Sequence, residues 1–170
     1  MSHIRFTFLL FVALTISTSC NQKAAEQSTG TGYLPVTKVV DGDTFWANDG
    51  SPKGIKVRFI GVNAPESRKT FNKDIQYFGQ EAKEYLTGML TGKKVRLVLD
   101  VDSLDKYGRT LAYVYLEDGT FVNADLVKNG YAQVMTIPPN VKHANEFVQL
   151  QREARENKRG LWKDEEEVMK

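Results

Sequence analysis

The 170-residue chain contains one cysteine, Cys20, and two histidines, His3 and His143. A single thiol can form neither an internal disulfide nor a thiolate metal site, so packing alone must hold the fold together. Chemistry built on several histidine ligands or on a histidine base has almost nothing to draw on, and zinc is disfavoured; His143 is expected at the surface. Strong net charge is missing too, since 23 Lys+Arg face 21 Asp+Glu for a formal +2. Any attraction for polyanions must come from local clusters. No internal repeat is visible. The one extended apolar run, Phe6 to Ile16, falls short of the roughly 20 residues that a membrane-spanning helix needs.

That run has the form of an export leader. His3 and Arg5 precede it, and the small residues Ser17 to Ser19 lead into Cys20, so residues 1–19 read as a lipoprotein-type signal peptide with Cys20 as the acylated residue. The protein is therefore expected outside the cytoplasm, anchored through a lipid to a membrane that faces the periplasm or the cell exterior. A secretory leader with a chance cysteine, and hence a secreted protein, is the alternative, because Ser17 stands where lipoprotein leaders usually carry leucine. Residues 20–32, CNQKAAEQSTGTG, are small and polar and read as a flexible tether. The folded domain is expected over 33–163. Residues 164–170 lack apolar periodicity and are expected to be a disordered tail.

With 41% hydrophobic residues, the chain is long enough for one compact domain with a real core. Short runs rich in Val, Ile, Leu, Phe and Tyr predict five strands, at about 33–40, 43–47, 54–61, 93–101 and 109–116. FGQEAKEYLTGML repeats Ala82, Tyr85, Leu86, Met89 and Leu90 at helical spacing and ends at Gly92, predicting a helix. A short helix is expected over 123–129, capped by Gly130. A longer one over 144–158 places Phe147, Val148, Gln151 and Ala154 on one stripe. Three strands, a helix and two further strands suggest a five-stranded, partly open Greek-key barrel of the oligonucleotide/oligosaccharide-binding (OB) type. Helices pack against it in an α+β arrangement.

The chemistry-bearing residues fall at strand ends. Asp41-Gly42 is a strong hairpin signal, but so are Asp49-Gly50 and Asp118-Gly119. Asp41 differs because Asp43 follows, and two carboxylates leaving one tight turn repel unless a cation or donors sit between them. In VRFIGVNAPES, Ile55, Val57 and Phe59 alternate toward one side, so Lys56 and Arg58 face the other. Alone, Arg58 reads as a solvated arginine, and Glu66 as a loop charge. DKYGRTLAYVYL then delivers Arg109 from a basic turn at the start of a strand. Two arginines, two aspartates and a glutamate at one barrel rim fit phosphodiester cleavage. Guanidiniums stabilise the charge that builds on phosphorus, a hard cation takes oxygen ligands such as Asp43, and a carboxylate such as Glu66 holds or deprotonates water.

These residues resemble the staphylococcal nuclease (thermonuclease) family through VVDGDTF, VRFIGVNAPE, FGQEA, DKYGRTLAYVY, VNADLVKNGYAQV and RGLW, from about Val36 to Trp162. The resemblance implies an OB-fold barrel with three helices and Ca2+-dependent endonucleolytic hydrolysis of DNA and RNA to 3'-phosphates. By position it implies Arg58, Glu66 and Arg109 as catalytic residues and Asp43, Asn63 and the carbonyl of Ala64 as metal ligands. Asp41, Lys106 and Tyr107 are the implied residues of the substrate and metal surround. No obligate protein partner is implied, and a monomer is expected.

The chain departs from the family at two points. Asn63 replaces a second aspartate ligand, which predicts weaker calcium binding without loss of catalysis. MTIPPN follows VNADLVKNGYAQV where the family often places tyrosines against the nucleotide, and Thr136 and Pro138 cannot replace those rings. The loop SRKTFNKD, with Arg68, Lys69 and Lys73, is either a backbone-contacting element or a solvated loop. Besides a nuclease, two further functions are compatible with the fold. One is a catalytically weak nucleic-acid-binding module and the other a saccharide- or protein-binding lipoprotein, though neither explains why both arginines and the glutamate are present.

Overall fold

The computed structural model describes residues 32–69 and 74–163. The leader 1–19, all but the last residue of the tether, the tail and Lys73 lie outside the described residues. The first three strands are β1 (Leu34–Asp41), β2 (Thr44–Ala47) and β3 (Ile55–Phe59). They run as an antiparallel meander with Val39 opposite Phe45 and Phe45 opposite Val57. Its connections are the Asp-Gly turns expected from sequence. At Asp49-Gly50 the carboxylate accepts from the Ser51 amide and hydroxyl at 3.0 and 2.6 Å; the third Asp-Gly turn, Asp118-Gly119, lies outside the meander, and its carboxylate accepts from the Thr120 amide at 2.9 Å. Both are pure turn devices.

Strands β5 (Lys94–Val98) and β6 (Thr110–Leu116) form an antiparallel pair. β6 joins β3 in parallel, and β5 returns to β1 at Leu34 opposite Val95. The barrel, ordered β1-β2-β3-β6-β5, is therefore closed, whereas the sequence suggests a partly open one. Closure leaves no free sheet edge on these strands. Side-chain alternation fills the interior with Phe45, Val57, Phe59, Leu97 and Val114, each at most 2% exposed, and each contributes about 1.5–3 kcal/mol by burial.

Helix α1 (Gly79–Leu90) buries Ala82, Leu86 and Leu90 in the same core, as its spacing predicts. α2 (Val122–Lys128) contributes Val122, Leu126 and Val127. Its fully buried Asn123 accepts from the Val114 amide and donates to the Ile60 carbonyl, each at 2.9 Å. That amide ties α2 both to β6 and to the turn after β3, giving a partner to one buried backbone group in each.

α3 (Ala144–Glu156) buries Phe147 and Ala154, but Val148 is 48% exposed. Leu150 packs inward in its place, while Gln151 keeps its expected position on the stripe, its Oε1 accepting from the Val134 amide at 2.7 Å. Val134 belongs to a two-stranded sheet of β4 (Val62–Asn63) and β7 (Gln133–Val134), which is too short for sequence periodicity to reveal. His143 is a second correction. It is half-buried, packed edge-on to Tyr113 and Phe121, with Nδ1 2.7 Å from Glu146 Oε2. A residue one step before a helix is drawn inward here because the ring covers aromatic surface.

Candidate active site

The β1–β2 turn separates the two aspartates. Gly42 is required there, since a Cβ would lie 2.7 Å from that of Ala64 and 3.0 Å from that of Ala82. Asp41 turns back, with Oδ1 accepting from the Gly42 and Ser67 amides at 3.0 and 3.2 Å, and so fastens the turn to the chain just past Glu66. Asp43 is 8% exposed. Its Oδ1 accepts from the Thr44 hydroxyl at 2.9 Å, and its Oδ2 from the Ala64 amide at 2.8 Å. Each carboxylate of this turn therefore has donors of its own.

Arg58 leaves the outer side of β3, as its alternation predicts, but it is only 9% exposed. Nη1 lies 2.7 Å from Asp43 Oδ2, and Nη2 donates to Asn63 Oδ1 at 3.0 Å. The guanidinium thus spans the two residues that the sequence marks as metal ligands. This burial explains why a lone strand arginine is not simply solvated: a desolvated carboxylate needs a cation or several donors beside it.

Arg109 is held differently, by a residue the sequence reading passed over. Asp105 Oδ1 accepts from the Tyr107 and Arg109 amides at 2.8 and 3.0 Å, while Oδ2 lies 2.6 Å from Arg109 Nε. The signal was present, because an aspartate opening DKYG suits an Asx-type turn. Fixing Arg109 through Nε leaves its two terminal nitrogens without an acceptor among the described residues. Burial pushes the Asp105 carboxyl up, but the Arg109 amide, its guanidinium and the Tyr107 amide outweigh this and hold it below the usual 3.8.

A depressed carboxylate stabilises the fold above its unfolded pKa and loses that contribution as pH falls through the folded value. Asp105→Asn keeps an oxygen for the two amides but cannot accept from Nε. It is expected to lower any cleavage rate about tenfold, the scale of one charge-assisted bond. It should also flatten the acid limb of the melting temperature against pH. Rate assays with thermal melts from neutral pH downward measure both.

Glu66 is positioned through its main chain. Its amide donates to Gln76 Oε1 and its carbonyl accepts from the Gln76 amide, each at 3.0 Å. The first residue of α1 is Gly79 because a Cβ there would collide with the Glu66 carbonyl oxygen. The N-cap position before it is held by Phe78, so the helix starts without a capping side chain. Gly79→Ala is expected to destabilise the protein by about 2 kcal/mol through overpacking and to displace Glu66, read as a lower urea midpoint together with lower activity. Nothing in the sequence pointed to Gln76, which lies ten residues from Glu66 across a loop.

These elements enclose one pocket of about 570 Å³ on the outer face of β3 and β6. Asp43, Arg58, Asn63, Glu66, Lys106, Tyr107 and Arg109 all line it. Asp41 and Ala64 do not. They stand behind it, Asp41 bracing the loop and Ala64 giving its amide to Asp43. Lys106 and Arg109 lie 5.1 and 5.4 Å from the Tyr107 ring centre, a cation–π arrangement at the mouth.

In the MTIPPN segment Met135, Ile137 and Pro138 line the pocket, so apolar side chains replace rings and Thr136 takes no part. Asn140 holds the facing loops together, accepting from the Asp102 amide and donating to its carbonyl at 2.8 Å each. In the basic loop, exposed Lys69 pairs with Asp74 at 3.0 Å, so its charge is partly neutralised.

The donor set is all oxygen: the Asp43 carboxylate, the Asn63 amide oxygen and the nearby Glu66 carboxylate. Among the described residues no three His, Cys, Asp or Glu side chains converge as a ready cation cage. The chemistry of these donors nevertheless fits a hard divalent cation, with less anionic charge than two aspartates would bring.

A closed five-stranded barrel with three helices, carrying two arginines and acidic and amide oxygens in one rim pocket, defines an OB-type α+β domain built to hold an anion. The family model described as staphylococcal nuclease homologue matches residues 56–164. The chain is 40% identical over 142 residues to a thermonuclease of Staphylococcus intermedius, covering 83% of this chain and 82% of that protein. It is likewise 40% identical over 127 residues to a thermonuclease of Staphylococcus hyicus, with coverages of 75% and 73%. It is 33% identical over 159 residues to the endonuclease YncB of Bacillus subtilis (strain 168), with coverages of 87% and 73%. The chain belongs to the staphylococcal nuclease family.

Proposed function

We propose that the protein is a metal-dependent endonuclease that hydrolyses phosphodiester bonds of DNA and RNA and leaves 3'-phosphates. The observation that carries this reading is the meeting of Arg58, Arg109 and Glu66 in one pocket beside Asp43. Arg109, oriented through Nε, offers its terminal nitrogens to two phosphate oxygens. Arg58 exchanges Asn63 and Asp43 for a phosphate oxygen as charge builds on phosphorus, so its interaction is strongest in the transition state. Glu66 aligns and deprotonates the attacking water. Lys106 and Tyr107 receive the flanking phosphate at the mouth.

Calcium is the cation proposed, with the Asp43 carboxylate and the Asn63 amide oxygen as its ligands, whereas Ala64 stands behind the pocket; when bound it would supply Lewis-acid polarisation of the phosphate. Digestion of plasmid DNA and of RNA with calcium and with chelator tests the reading, and undiminished digestion in chelator would refute the metal dependence.

One observation favours a catalytically weak binding module instead: both terminal nitrogens of Arg58 are already satisfied within the protein. Such a module would retain strands in the same assay without cutting them.

Asn63→Asp tests the donor set directly. A second carboxylate next to Arg58 should tighten calcium binding by roughly tenfold, since affinity follows ligand charge. Calorimetric titration reads this independently of turnover, and equal affinities would exclude Asn63 from the site. The leader and Cys20 further lead us to place the enzyme outside the cytoplasm on a lipid anchor, where it would meet environmental nucleic acid. Metabolic labelling with a fatty acid, lost in Cys20→Ser, tests that.

A further inference from the structure

Outside the pocket, cross-strand pairing builds a row that the catalytic scheme does not use. Lys38 of β1 is directly opposite Trp46 of β2, and Trp46 is directly opposite Lys56 of β3. Residues paired in this way project from the same face of a sheet. That face is the outer one, because the neighbours Phe45, Ala47 and Val57 are fully buried in the barrel. Lys38 is exposed, and Trp46 and Lys56 are half-buried.

The row leads toward the pocket. β3 and β6 pair in parallel with Val57 opposite Thr110, and the residues preceding these two are Lys56 and Arg109. Lys38, Trp46 and Lys56 thus form one line across three strands, with no carboxylate among them, and it points toward Arg109, the residue before β6.

We propose that this line is a second contact surface for the substrate, a track on which one strand of the polynucleotide continues beyond the cleavage pocket. Trp46 stacks on an unpaired base and Lys38 and Lys56 neutralise the phosphates on either side. The inference rests on the nuclease reading for the identity of the polyanion. Its own support is chemical: a ring flanked by two cations, pointing toward a phosphate-clamping arginine, is the combination that single-stranded nucleic acid selects. Two adjoining strand spacings of about 4.8 Å separate the lysines, which sets their charges on opposite sides of a stacked base.

The test compares cleavage of a dinucleotide with cleavage of a single strand of roughly 12 nucleotides, within the range that one OB fold covers. Trp46→Ala should raise KM for the longer strand about tenfold, the lower part of the range for losing one base stack, and leave dinucleotide cleavage unchanged. Trp46→Phe, which keeps a ring, should behave as the native protein. Binding of a labelled strand in chelator gives a second readout. The double variant Lys38→Gln/Lys56→Gln should lower the slope of log affinity against log salt by about 1.4, two phosphate contacts on a single strand.

Equal KM effects on long and short substrates in Trp46→Ala, or an unchanged salt slope in the lysine variant, would overturn the proposal while leaving the nuclease intact. A native protein that cuts neither substrate would overturn the nuclease reading instead. The binding isotherms would then still decide whether the row holds a strand.

Discussion

Arg58→Ala is expected to lower the cleavage rate about 10²–10³-fold, the usual consequence of removing one preorganised donor from a developing oxyanion. The variant should also be less stable by about 3 kcal/mol. The second effect follows from the geometry. Asp43 has a side chain only 11% exposed and loses the cation 2.7 Å away, and breaking a desolvated pair leaves a buried charge without its counter-ion. The Thr44 hydroxyl and Ala64 amide remain, which holds the loss to the lower end of the range for such pairs.

Arg58→Lys separates the two effects. An ammonium restores the charge beside Asp43 and much of the stability, but as a point charge it cannot reproduce the planar fork that reaches both Asp43 and Asn63. Its rate should stay low while its urea midpoint recovers. Near-native cleavage by Arg58→Ala would remove Arg58 from the mechanism, whatever the stability showed.

How far the sequence reveals this arrangement depends on the range of the signal. β1, β2, β3, β5 and β6 and the three helices are legible because period-2 and period-3.6 patterns are local and strong, and the Asp-Gly turns mark the hairpins. Barrel closure rests on Leu34 opposite Val95, a pairing between distant segments that no periodicity announces. Val148 is misplaced for a related reason: it lies next to the apolar stripe of α3, and only the packing of the helix decides that Leu150 and not Val148 turns inward.

In the site, Asp43, Arg58, Glu66 and Arg109 are legible because charges at strand ends of an apolar barrel stand out. The residues that aim them are harder to find. Asp105 is foreshadowed by its turn, whereas Gln76 acts through its own main chain and an amide oxygen on the main chain of Glu66, a role that depends on path and not on residue type. The same difference separates Asp41 from Asp43. Two aspartates one glycine apart read alike, yet one is spent on loop amides and the other faces the pocket.

Glu66→Gln should isolate chemistry from structure. The backbone of Glu66 is fixed by reciprocal hydrogen bonds with Gln76 and by its close packing on Gly79, and none of these contacts uses the carboxylate. An amide of the same size therefore keeps these backbone contacts and the chain path they set. What disappears is a group able to accept a proton from water. The expected result is a fall in kcat of about 10²–10⁴-fold, the usual contribution of a positioned base, with KM and the melting temperature near native. Glu66→Asp keeps the charge but withdraws it by one methylene, so its kcat should fall between the two. Single-turnover rates with thermal melts distinguish the cases. If Glu66→Gln lost stability as well, the carboxylate would be structural; if it kept full kcat, the water would be activated elsewhere in the pocket.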